Sequence, residues 1–341
     1  MKVTISDVAR LAGVSTATVS HTINNTRYVS GDTKEKVYQA IRQLGYTPDA
    51  SARSFRTGKK KTIGFIVPDI SNKFFGTIIE SAENYLSAQG YHLIIANTKE
   101  NMDREETNLR LLTAGLVDGL LIASTMDDFS RLDALIPAGF PVVLVDRTFD
   151  AKKYSSVSVS NFQPIYRSVC RLAARGKRRV GIIGGLPRLS TTKERIAAYR
   201  AAAADCGLAQ DDALIRYGDS MEDSAPPCLD QLLEQNCDAI VVCQGLMASV
   251  TIAYLRGKGI QPRRDLEVVS FVDYDTHAYE FYYDQVDRII QPVEELGRTA
   301  GEQILLRVET PDAPVLERVL TSSYRPYQSE EEDRETAKWH I

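Results

Sequence analysis

The chain has 341 residues, 43% of them hydrophobic and 25% charged, which is room for two or three domains with cores of their own. It carries no apolar run long enough to span a bilayer, and its start, MKVTISDVARLAG, is interrupted by polar residues too early for a signal peptide, so a cytoplasmic protein with no membrane partner is expected. The net charge of −4 hides a division: residues 1–61 hold eleven lysines and arginines against four acids, and the remainder holds 30 against 41, so only the head is suited to a polyanion.

In the head, Thr4-Ile5-Ser6-Asp7 starts a first helix like a capping box, with Ile5, Val8, Ala9 and Ala12 on one face. Gly13 breaks it, and Ser15 caps a second helix that turns Val19 and Ile23 inward. Asp32-x-x-Glu35 is expected to cap a third, with Val37, Ile41 and Leu44 at helical spacing. Two short helices, a tight glycine turn and a supporting helix are the helix-turn-helix plan, an all-α domain over 1–47. Residues 48–61, DASARSFRTGKKK after Pro48, read as a short helix-capable hinge and basic linker.

From Thr62 the pattern changes. Strand-like runs at 62–69, 92–97, 119–124, 141–146, 179–185, 238–244 and 267–273 alternate with amphipathic segments, for example 75–89, 103–115, 162–175, 194–206 and 246–257. Near-continuous Val/Ile/Leu runs between helices predict parallel sheets covered on both faces. A strand and a fresh helix within 157–169, then the return at 289–293 before a last helix (293–308) and a terminal strand (315–324), divide the core 62–327 into two doubly wound lobes. Lobe 1 is about 62–160 and 292–327, and lobe 2 about 161–291. A ligand cleft is expected between them at the carboxyl ends of strands. The tail 328–341 is an acidic charge run that reads as solvated and flexible. The cysteines at 170, 206, 228, 237 and 243 are odd in number, lack a CxxC and sit mostly among apolar neighbours, and are taken as reduced, buried thiols.

Over residues 3–327 the chain resembles the LacI (lactose/galactose repressor) family. VTISDVARLAGVSTATVSHTINN looks like that family's helix-turn-helix signature, and RYVSGDTKEKVYQAIRQLGYTPDASAR like its third helix and hinge. PDISNKFFGTIIESAE, LLTAGLVDGLLI, PVVLVDR, RVGIIGG and RIIQP…ELGRTAGEQILL resemble successive landmarks of its periplasmic-binding-protein-like effector core. The resemblance implies a homodimeric transcription regulator, a repressor first, that binds a near-palindromic double-stranded DNA operator under control of a small carbohydrate-type effector. An activator or corepressor-dependent regulator is the alternative within the family, and a sugar-binding protein without regulatory role is the alternative outside it.

The same resemblance assigns residues. Thr4, Ser15, Thr18, Ser20 and Asn24 fall among DNA-contacting positions of the head, with Ser15, Thr18 and Ser20 on phosphates and Thr16 and Ala17 reading base edges. His21 stands where the family usually has arginine. An imidazole cannot fork to guanine, so it either makes one hydrogen bond to a base or contacts a phosphate. In the hinge, Arg53 joins the contact set, and Phe55 replaces the leucine that wedges into the minor groove; packing against its dimer mate is the alternative. At the cleft the resemblance places Phe74, Phe75, Asp146, Arg147, Arg195, Gln244 and Asp273, with lobe packing the alternative for Phe75 and a surface ion pair for Arg195.

Two sugar-binding landmarks depart from the family. Its aspartate pair is Val272-Asp273, and its Asn-Asp is Gln244-Gly245. With Arg188 and Arg195 nearby in sequence, an anionic effector such as a sugar acid or sugar phosphate enters consideration. HAYEFYYDQ (277–285) replaces a proline-containing loop, as pocket or as surface. No GxGxxG opens a helix, no GxxxxGK[ST] or GxSxG occurs, and His92, His277 and His340 lack metal-ligand spacing, so neither an enzyme nor a cofactor nor a metal is expected.

Overall fold

Local chemistry sets the helices of the head. In the computed structural model, which describes residues 3–47, 59–219, 224–272 and 286–327, the first helix α1 (Ile5–Ala12) starts at Thr4. The Thr4 hydroxyl oxygen accepts from the Asp7 amide, and the Asp7 carboxylate accepts from the Thr4 amide at 3.0 Å, so two orphan donors are satisfied reciprocally. Gly13 ends the helix at φ +66, a conformation that a Cβ would strain, and turns the chain into α2 (Thr16–Asn24). Ser15 caps α2 by accepting from the Thr18 amide at 3.0 Å. The third helix, α3 (Gly31–Leu44), starts one residue before the expected cap. Ser30 is its N-cap, and Asp32 lies in the first turn, where its charge meets the helix dipole instead of bonding an amide. Val8, Ala9, Val19, Val37 and Ala40 close a small core between the three helices.

The core, described by itself, contains two sheets of six strands. The first holds β1 (Thr62–Val67), β2 (His92–Asn97), β3 (Gly119–Ile122), β4 (Val142–Val145), β5 (Ser155–Val159) and β11 (Glu317–Leu320), in the order β11-β5-β4-β3-β1-β2, all parallel. The second holds β6 (Val180–Gly184), β7 (Ile215–Tyr217), β8 (Ala239–Val242), β9 (Glu267–Val272), β10 (Asp287–Ile290) and β12 (Ser323–Arg325), in the order β12-β10-β9-β8-β6-β7. Alternate residues of each strand serve opposite layers. Ile63, Phe65 and Val67 pack beneath α4 (Lys73–Ala88) and α11 (Val293–Glu309), while Ile66 packs with Leu109 of α5 (Met102–Thr113) and Leu132 of α6 (Phe129–Leu135). Lobe 2 repeats the arrangement with α7 (Phe162–Ala174) and α8 (Ser190–Asp205) on one face, and α9 (Ala225–Glu234) and α10 (Gly245–Gly257) on the other.

Two details differ from the sequence reading. Strand β7 follows the one-turn helix Asp212–Leu214 and is only three residues long, too short to leave a periodic signal. The terminal strand expected over 315–324 in lobe 1 is two strands. β11 pairs with β5, whereas β12 crosses to lobe 2 and pairs antiparallel with β10, so the chain passes between lobes three times instead of two. Asp287 supplies the reason. Its carboxylate accepts from the Tyr324 hydroxyl and from the Tyr327 amide (2.8 Å), and it pairs with Arg175, which also bonds Glu267. No helix among the described residues is long and apolar enough to cross a membrane. Asp287→Ala would release β12 and leave Arg175 with one counter-charge, so urea unfolding should report a loss of about 3 kcal/mol; a loss below about 1 kcal/mol would mean that solvent screens the cluster.

Candidate functional site

The exposed side of α2 is where DNA contacts are expected. Thr16 and Ala17 are exposed in its first turn. The Ser15 oxygen, besides capping the helix, lies 2.9 Å from the Thr18 hydroxyl, and Asn24 folds back to donate to the Ser20 carbonyl at 2.8 Å. Thr4 is exposed with its hydroxyl 2.7 Å from Asp7. The His21 ring is half-buried and tethered, with Nδ1 2.8 Å from the Thr26 hydroxyl. That contact leaves Nε2 as the ring's other polar edge, and its role follows from the proton on Nδ1. If Thr26 donates, Nε2 carries a hydrogen and seeks an acceptor; if Nδ1 donates, Nε2 accepts. Tyr28, which the sequence reading passed over, is 94% exposed beside exposed Arg27, and only its placement in the turn after α2 reveals it. Arg53 and Phe55 lie outside the described residues, as do Asp273, the 277–285 stretch and the 328–341 tail.

In each lobe the first five strands run in the order 2-1-3-4-5, so the strand order reverses between β1 and β3 and again between β6 and β8. Loops diverge there, which makes the carboxyl ends of these strands the natural ligand crevice. Arg195 of α8 is at the lobe 2 crevice, 7% exposed. Its Nε donates to the Asn161 side-chain oxygen at 2.7 Å, Nη1 donates to the Cys243 carbonyl just beyond β8, and the guanidinium lies 4.1 Å from the centre of the Phe271 ring. Both oxygens are neutral. Among the described residues no carboxylate lies within ion-pair distance of this buried cation. Gln244 is adjacent: its amide nitrogen lies against Gly185, where an added Cβ would come within 2.6 Å of it, so the loops after β6 and β8 meet here.

Asp146 ends β4 of lobe 1 at φ +64 and is 8% exposed. Its carboxylate oxygens accept no hydrogen bond among the described residues. Burial pushes its pKa up, against the opposing pull of the Arg147 and Arg195 guanidiniums. Arg147 is already engaged: it pairs with Glu100 at 2.5 Å, donates to the Ser124 carbonyl at 3.0 Å and sits 5.7 Å over the Phe75 ring. Phe74 and Phe75 form an edge-to-face pair inside the lobe 1 core, so their rings pack there, with Arg147 lying over the Phe75 ring.

Arg188 also departs from the effector role suggested by its position in sequence. It reaches across to lobe 1, donating to the Thr125 carbonyl at 3.3 Å and the Glu100 carbonyl at 3.2 Å, with the Glu100 carboxylate 3.7 Å away. A second bridge runs from the Thr148 amide to the Ser190 hydroxyl at 3.2 Å. Glu100, in a left-handed turn with Lys99, therefore serves two arginines from two lobes. Neither Glu100 nor Asn161 carries a motif, and both were missed because their partners are distant in sequence.

Similarity to known proteins decides the family. The profile of periplasmic binding proteins and the sugar binding domain of the LacI family matches residues 60–330, and that of bacterial regulatory proteins, lacI family, matches residues 4–49. The chain belongs to the LacI family. It is 33% identical over 309 residues to the HTH-type transcriptional repressor PurR of Photobacterium profundum, covering 90% of this chain and 92% of that one. The regulator CelR in complex with cellobiose aligns at TM-score 0.71 and 26% identity, over 95% of this chain and 98% of CelR. The Lac repressor dimer bound to operator and the anti-inducer ONPF aligns at TM-score 0.83 and 22% identity, over 96% and 100%. The family consists of DNA-binding transcription regulators with an effector-binding core.

The two partners of Glu100 differ in burial, which orders the expected effects of mutation. Glu100→Ala would strand the buried Arg147 and should lower core stability by about 2–3 kcal/mol. Arg188→Ala removes only a part-exposed bridge and should cost below about 1 kcal/mol. Urea unfolding of both variants checks the order, and equal losses would contradict it.

Proposed function

We propose that this LacI-family protein is a homodimeric repressor whose affinity for a near-palindromic operator is set by a small anionic carbohydrate, a sugar acid or sugar phosphate, held between the core lobes. The observation that carries the effector class is the combination at the crevice: among the described residues, the buried Arg195 has no carboxylate within ion-pair distance, and the oxygens of the buried Asp146, electrostatically coupled to it, accept no hydrogen bond. A buried cation facing neutral acceptors is completed by an anion. A buried carboxylate is completed by hydroxyl donors, so the two together suit a molecule carrying both. Gln244 adds an amide from the adjoining loop, and Asp273 is a further acceptor in this reading. Family relationship to CelR, described with cellobiose, supports a carbohydrate.

The basic head supports operator binding. Thr16, Ala17 and His21 read bases, Ser15, Thr18, Ser20, Thr4 and Asn24 fix the helix on the backbone, and Arg53 and Phe55 contribute from the hinge. Tyr28 with Arg27 adds an exposed phosphate contact. The dimer reading rests on lobe 1, where edge strand β2 exposes consecutive residues Ile94 (39%) and Ile95 (45%), one on each face, and α5 exposes Leu111 (57%). A bare apolar edge is a pairing surface, and a second copy of the chain is its occupant here. A cytoplasmic location follows from the DNA target.

Thermal shift with neutral sugars, sugar acids, sugar phosphates and purine bases tests the ligand class. The acids or phosphates should raise the midpoint of wild type and leave Arg195→Gln unmoved. Stabilisation by neutral sugars or purine bases alone would overturn the anionic reading. Operator titration with and without the active ligand then gives the sign: weaker binding marks an inducer, and tighter binding a corepressor. Selection of His21→Arg on random DNA should move the preferred base at one position of each half-site, and an unchanged operator would remove His21 from direct readout. Ile95→Asp should convert a dimer to a monomer in sedimentation velocity; persistence of the dimer would move the interface elsewhere.

A further inference from the structure

Lobe 2 contains a feature that regulation by a ligand does not use. Of the five free cysteines, Cys228, Cys237 and Cys243 are buried, but Cys170 and Cys206 are only half-buried and face one another with sulfurs 2.7 Å apart. Cys170 is in the last turns of α7 and Cys206 is the C-cap of α8, so the pair sits at the seam of these packed helices. One turn before Cys170, the Tyr166 hydroxyl donates at 2.8 Å to Asp205, the residue preceding Cys206, and fixes the seam from the same side. Two thiols this close need little backbone movement to bond.

We propose that Cys170 and Cys206 are an oxidisable dithiol that a peroxide closes into a reversible disulfide, stapling α7 to α8. Burial and the facing sulfur push Cys170 up to about 12, which suits it to resolve as a protonated thiol, and Cys206, at the C-cap end of α8, is the sulfur assigned to meet the oxidant. The peroxide O–O bond breaks, leaving one oxygen on the Cys206 sulfur as a sulfenic acid and releasing the other as water. The Cys170 sulfur then attacks the Cys206 sulfur: the S–S bond forms, the S–O bond breaks, and the Cys170 proton departs with that oxygen as a second water. Two electrons pass from the thiol pair to the peroxide. A reducing compartment keeps the pair open, and sustained oxidation closes it. The closed loop spans β6 and α8, including Arg195, and the staple holds the far end of the helix pair whose near end is the Asn161–Arg195 contact.

Full-length protein treated with hydrogen peroxide should lose two hydrogens by intact mass and yield a 170–206 cross-linked peptide. Its core should melt higher by roughly 5 °C, with dithiothreitol reversing both changes. Cys170→Ser and Cys206→Ser, each folded by circular dichroism, should lose the cross-link and the rise in melting. Cross-links through Cys228, Cys237 or Cys243, sulfinic acids without a cross-link, or an unreacted pair would each overturn the assignment.

Discussion

Much of the core's architecture converges on the guanidinium of Arg195. It is buried, and a buried charge must be satisfied by what surrounds it. One acceptor is Asn161, whose amide also donates to the Val159 carbonyl and to Glu194, where the chain first passes from lobe 1 to lobe 2. The other is the carbonyl of Cys243, where β8 gives way to the Gln244 loop. Among the described residues, Arg195 thus ties the crossover to the lobe 2 switch point through two neutral oxygens and the face of Phe271. Dipoles orient a cation but do not neutralise it, which is why the proposed effector is an anion.

The remaining charged groups at the cleft show the contrast. Arg147 is closed off by Glu100 and the Ser124 carbonyl, and the same Glu100 meets Arg188 from lobe 2. Only the Arg188 contacts pass between the lobes, and the two arginines are held differently. Arg147 is buried and bonds the half-buried Glu100 carboxylate, whereas Arg188 is partly solvated and its hydrogen bonds are to backbone carbonyls. Relative movement of the lobes would break the Arg188 bridge first, because solvent can replace those contacts. A ligand that binds one lobe arrangement better than another shifts the equilibrium only by that difference in affinity, so a weak bridge is where such a difference is effective.

Much of this could be read from the residues alone, and what could not has definite physical causes. The α/β alternation was legible because strands covered on both faces must be apolar throughout, as in TIGFIV and EVVSFV. Gly13 and Ser15 announced the turn between the first helices. β7 was not legible, since three residues carry no period, and VLERVLTSSY gives no sign that its end belongs to the other sheet. That assignment depends on Asp287, which binds Tyr324 across 37 residues. Similarly, Arg188 and Arg195 look alike in sequence, seven residues apart. Their fates diverge because one leaves the loop after β6 toward lobe 1, while the other stands one turn into α8 against Asn161.

In the proposed reading of the head, with His21 meeting a base, one local contact carries specificity. An arginine at position 21 would present a fixed fork of donors, whereas the histidine has a single outward nitrogen whose character is set behind it. Thr26 supplies that control, because its hydroxyl can donate to Nδ1 or accept from it. With Thr26 donating, Nε2–H suits guanine N7 or O6; with Thr26 accepting, Nε2 suits the amino group of adenine or cytosine. Position 26 therefore belongs to the recognition problem even without touching a base. A valine there, similar in shape and lacking the hydroxyl, would free the ring to take either tautomer, and the base preference at that position should broaden instead of switch.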